Sequence, residues 1–166
     1  MQILTGLVML LLFVAAPVRA QEPTRANFWR EDDKVLFWQT NHLSGGQGTC
    51  VVKFGFLGSA LKEPLENLTL SIRIKNKNGT DLGLAKLVVV EPFGATGAGR
   101  YAEATFEGVH RWPNQDDGER SPLCYEGASL TVESAIGKQS GKIVDLVRFG
   151  QLEFTSFQRL QVKVKE

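Results

Sequence analysis

The sequence predicts an all-β protein: a single β-sandwich of immunoglobulin or fibronectin type III-like style with about seven or eight strands, a small closed barrel being the alternative. Three observations carry this expectation. Residues 68–75 alternate apolar and polar side chains without a break, the period of a half-buried strand. Asn78-Gly79 follows at once, and both residues tolerate positive φ, so the chain is expected to turn back antiparallel there. Elsewhere Gly, Pro, Asn and Asp clusters separate short β-forming runs, and no long amphipathic helical pattern lies between them.

In chain order, residues 1–20 read as a signal peptide. Residues 3–16 are almost wholly apolar, and Val18 and Ala20 are small where signal peptidase cuts, so cleavage after Ala20 is expected. A bilayer span needs about 20 apolar residues, and this run is shorter. No Lys or Arg precedes it, which is atypical, and no Cys lies near the cut to carry a lipid anchor. A secreted or periplasmic location without a stable membrane anchor follows. Residues 21–33 are polar and expected to be flexible, which leaves 34–166 as the sandwich domain.

Residues 34–40 and 50–56 are rich in β-formers, and Cys50, Val52, Phe54 and Phe56 share one face of the second run. In residues 68–75, Leu68, Leu70, Ile72 and Ile74 face the core, while Thr69, Ser71, Arg73 and Lys75 face water. Residues 84–90 return from the hairpin, and 101–106 are a weaker strand candidate. Leu130-Thr131-Val132 is expected to extend from 128 toward 136. Residues 143–149 fit a strand or one helical turn equally well. The last run, 160–165, alternates cleanly, and its outward lysines discourage edge-to-edge aggregation.

Cys50 and Cys124 are expected to form one disulfide, since two cysteines in an exported chain of this size usually pair. Closing a loop of roughly 70 residues stabilises the fold by about 4 kcal/mol in the chain-entropy picture. Two cysteines alone cannot complete a four-ligand zinc site, so a structural staple is the better reading.

Charge narrows the function further. Without residues 1–20, Arg19 leaves the count of 19 Lys+Arg, and 18 bases face 18 Asp+Glu, a net charge of zero. No basic excess or stripe exists to neutralise phosphates, so nucleic acid is not an expected partner. Catalysis is not expected either. His42 and His110 are the whole imidazole supply, both read as solvated loop residues, and no nucleophile motif accompanies them. The Gly-rich stretch 94–100 lacks the Gly-Lys-Ser/Thr ending of a phosphate loop and reads as a strand connection open to contacts. Asp116-Asp117-Gly118-Glu119 lacks calcium-loop spacing. No metal site and no cofactor are expected. Asn67 and Asn78 each begin an N-glycosylation pattern, whose meaning depends on the organism.

The aromatic residues are the candidate partner contacts. Phe28 and Trp29 stand among polar residues, and Trp112 lies in a loop-like stretch. Phe37 and Trp38 are adjacent on a strand, so one ring must point away from the core. Exposed aromatics mark partner surfaces.

The order of several short segments resembles the bacterial interleukin receptor mimic protein family. The resemblance rests on Cys50-Val51-Val52-Lys53-Phe54-Gly55-Phe56-Leu57, Asn67-Leu68-Thr69-Leu70, Val90-Glu91-Pro92-Phe93-Gly94, the later Cys124 and Val144-Asp145-Leu146. It implies a small secreted fibronectin type III-like domain that dimerises by strand exchange and engages host proteins as a virulence factor. The expected function is therefore protein binding by a secreted or periplasmic sandwich, a host-interacting effector resembling a cytokine-receptor module. A cell-envelope structural or chaperone-like accessory protein is the alternative.

Overall fold

The computed structural model describes residues 21–44, 50–95, 99–106, 128–155 and 161–166. Nine strands lie among them: β1 (Val35–Ser44), β2 (Cys50–Leu57), β3 (Glu66–Lys75), β4 (Asp81–Val89), β5 (Tyr101–Phe106), β6 (Ser129–Gln139), β7 (Lys142–Asp145), β8 (Leu152–Phe154) and β9 (Gln161–Val164). They form two sheets, one ordered β5-β2-β1-β8 and the other β4-β3-β6-β7, with β9 also joined to β6. The two sheets pack as a β-sandwich. Most neighbours are antiparallel, but β1 with β8 and β6 with β9 are parallel.

Period-two alternation builds the core. Val35 and Phe37 of β1, Val52, Phe54 and Phe56 of β2, and Leu68, Leu70, Ile72 and Ile74 of β3 are all fully buried. Phe37 is the hub of the aromatic cluster. Its ring stacks on Phe56 at 5.7 Å and 10°, meets Phe154 edge-on at 5.0 Å, and lies 6.4 Å from Phe54. Offset and edge-to-face contacts of this kind add to the burial of apolar area.

The hairpin expected at Asn78-Gly79 joins β3 to β4. Asn76 holds it: its Oδ1 accepts from the Asn78 and Thr80 amides, both at 3.0 Å. Gly79 takes a φ of 82°, a left-handed value that favours glycine. The ambiguous stretch 143–149 resolves as a strand followed by turns. Asp145 ends β7 by accepting from the amides of Val147 and Arg148, both at 3.1 Å, an Asx-type bond that competes with the ladder.

Two expectations need correction. The N-terminal stretch 21–33 is not loose over its length. The Thr24 amide donates to Ile143 at 2.9 Å and the Asp145 amide donates to the Thr24 carbonyl at 3.2 Å, so the arm runs along β7. The buried amides of two distant glutamines then grip it. Gln151 accepts from the Ala26 amide at 2.8 Å and donates to its carbonyl at 3.0 Å. Gln139 accepts from the Asn27 amide at 2.6 Å and donates to the Glu63 carbonyl at 2.9 Å. Gln151→Ala is expected to lower stability by about 1–3 kcal/mol, because it strands a buried amide and carbonyl; urea unfolding measures this. His42 also departs from its expected loop, standing on β1 opposite Val52. Cys50 heads β2 opposite Ser44. Its side chain, all of Cys124, the signal segment, His110, Trp112 and the acidic turn at 116–119 lie outside the described residues.

Candidate functional site

The outer face of the β5-β2-β1-β8 sheet carries the candidate site. Inward Phe37 forces its neighbour Trp38 outward, where it is half-buried. Opposite Trp38 in the register is Gly55 of β2, and beyond it stands Glu103 of β5. Trp38 and Tyr101 close over the glycine with ring centroids 5.8 Å apart. A Cβ at Gly55 would lie 2.8 Å from Tyr101 Cε2, 2.9 Å from Thr40 Cγ2 and 3.0 Å from Trp38 Cζ2. The absent side chain is therefore the floor on which the two rings rest. Aromatic cover of a strand glycine is a known device of sheets.

Polar groups fix the tyrosine. Its hydroxyl donates to Glu103 Oε1 at 2.5 Å, and Glu103 is also ion-paired with Lys53 of β2. Burial pushes the Tyr101 hydroxyl up to about 12, with the Glu103 hydrogen bond and charge adding to the effect. The Lys53 ammonium, and after it the Tyr101 hydroxyl, hold the Glu103 carboxyl below its usual range. Tyr101 thus stays neutral at physiological pH and keeps 43% of its surface exposed. The result is an amphipathic patch of two tilted rings that lose little rotamer freedom on contact, a chemistry suited to protein recognition.

The other aromatic candidates are scattered. Phe28 is buried, bridging to Leu61, and belongs to the core rather than to a contact surface. The physical reason is the glutamine grip on Ala26 and Asn27, which draws the next ring inward. Trp29 is 70% exposed and carries the Lys62 ammonium 5.6 Å from its ring centroid. Gly55, Tyr101 and Glu103 were not singled out by sequence reasoning. A glycine inside an otherwise apolar strand run was the available signal.

On the opposite sheet's outer face, Arg73 joins Asp81 at 2.7 Å and Glu133 at 2.5 Å. Arg73 holds the Glu133 carboxyl below its ordinary 4.5. The Gly83 amide, and then Arg73, do the same for Asp81 below 3.8. Depressed folded values mean that this stabilisation is full above those ordinary values and is lost as pH falls through the lowered ones. Lowering the pH from about 5 toward 2 is thus expected to reduce the urea midpoint of the native chain more than that of Arg73→Met. Among the described residues no three His, Cys, Asp or Glu side chains gather as a metal site. No helix among them is long and apolar enough to cross a membrane.

The family model described as IrmA, interleukin receptor mimic protein A, matches residues 35–111, from the start of β1 through the whole of β5. Over those residues the chain is similar to the IrmA family. A solved structure of IrmA from Escherichia coli is similar with a TM-score of 0.53 at 17% identity, covering 76% of this chain and 95% of that one. At that identity the IrmA structure speaks for the fold. No curated protein matches the chain.

Proposed function

We propose that this chain is an exported β-sandwich of fibronectin type III style that binds a host protein through its Trp38–Tyr101 face. The outward aromatic pair over Gly55 carries this reading, because large rings held on a rigid sheet are the commonest anchors of protein interfaces. The description of the matching family as an interleukin receptor mimic supports a cytokine as the ligand class. A receptor-like module would offer such a face to the ligand its model receptor binds. The disulfide expected between Cys50 and Cys124 acts in this reading as a staple.

The test is a binding titration of the purified protein against a panel of immobilised interleukins and, separately, interleukin-receptor ectodomains. Saturable binding to a member of the cytokine set is the expected result. Absence of binding to every member of both sets by a protein with native circular dichroism would contradict it.

A further inference from the structure

The Trp38–Tyr101 patch has a definite charge character. The two rings cover Gly55, and what they leave outward is π surface, whose faces carry partial negative charge. The Tyr101 hydroxyl spends its proton on Glu103 Oε1 at 2.5 Å, so its oxygen offers only lone pairs to a partner. Glu103 stands opposite Gly55 in the β2–β5 register, in the row that the rings cover. Its carboxylate has acceptor sites beyond the two that Tyr101 and Lys53 occupy. The other ion pair of this sheet, Lys34 with Glu153 at 3.4 Å, stands at the β8 edge. The Tyr101 end of the patch is therefore rich in acceptors and π surface. Leu57 faces outward opposite Tyr101, and the same cross-strand row continues to Leu36, both half-buried.

Resting on the reading that this face binds a protein, we infer that the partner's anchor here is an arginine side chain. Its guanidinium stacks on Tyr101 and donates to the Glu103 carboxylate, while its methylene stem lies along Leu57. The guanidinium is a planar, weakly hydrated cation that stacks on aromatic faces. Its forked donors also meet a carboxylate side by side. A lysine would answer only the charge. Lys53 already brings an ammonium to Glu103, so a second one exchanges like for like. An acidic side chain would be repelled by Glu103 and by the π faces alike. Lys53 has a second role in this arrangement: it neutralises Glu103 in the free protein and competes with the incoming arginine.

The test titrates blocked, glycine-flanked peptides carrying arginine, lysine or citrulline into isotope-labelled protein, read by NMR at low ionic strength to limit screening. The arginine peptide is expected to shift the Trp38 indole and the Gly55 and Glu103 amides. It should bind about threefold or more tighter than the lysine peptide. Citrulline keeps the shape without the charge and is expected to leave those signals in place. Glu103→Gln is expected to weaken the arginine peptide about threefold or more, whereas Lys53→Met is expected to strengthen it. A Lys53–Glu103 pair that only braced the sheet would produce neither change. Circular dichroism checks the fold of each variant. Citrulline binding as tightly as arginine, affinity unchanged in both variants, or an arginine peptide that leaves Gly55 and Glu103 unperturbed would each overturn the inference. The cytokine reading fails separately: a chain that takes the arginine peptide here yet binds no interleukin loses that reading alone. An interleukin held through Trp38 and Tyr101 with undiminished affinity in Glu103→Gln, and no response to the peptide, would remove this inference alone.

Discussion

Phe37→Ala is expected to destabilise the protein by about 3–5 kcal/mol, the usual cost of removing a large buried aromatic ring. Phe37 is fully buried and touches rings from three places in the chain: Phe54 and Phe56 on β2 and Phe154 on β8. Part of the loss is transfer of the ring to water, and part is the cavity left between those neighbours. The damage extends beyond the void, because β8 is three residues long and meets β1 only from Val35 to Phe37. Urea unfolding at neutral pH measures the cost. The adjacent substitution Trp38→Ala supplies the internal comparison, since its ring lies on the outer face and is expected to cost less than half as much. Equal costs at the two positions would mean that the alternation of β1 has been misread.

The second large effect concerns binding. Replacing Trp38 and Tyr101 together with Ala is expected to weaken binding of the partner by about thirtyfold or more, because aromatic anchors at the centre of an interface contribute about 2 kcal/mol or more each when truncated. The two rings support one another over Gly55, so their losses are not expected to add. Removal of either ring leaves the other without its neighbour, and the single variants should each approach the double.

Much of the sandwich was legible because alternation and turn chemistry are local signals. Leu68 through Ile74 announced both a strand and its buried face, and Asn78-Gly79 announced the return. The adjacent pair Phe37 and Trp38 announced that one ring must be outward, though not which one. What escaped detection depends on long-range partners. The parallel pairing of β6 with β9 joins Ser129 to Gln161, and no nearby residue encodes it. The N-terminal arm looked loose because its own residues are polar; its order comes from Gln139 and Gln151, more than a hundred residues away. The site was half legible for the same reason. Trp38 could be named from its strand, whereas Tyr101 and Glu103 join it only through the β2–β5 ladder.

The central claim is that the Trp38–Tyr101 face is where a host protein binds. Its most direct test is a titration of one bound ligand with three forms of the protein: native, Trp38→Ala with Tyr101→Ala, and Trp29→Ala. Trp29 is the control, being more exposed than Tyr101 at 70% against 43% yet separate from the Gly55 floor. The account predicts a large loss for the Trp38 and Tyr101 variant, near-native binding for Trp29→Ala, and native circular dichroism for all three. Native affinity in the Trp38 and Tyr101 variant, or loss confined to Trp29→Ala, would contradict it.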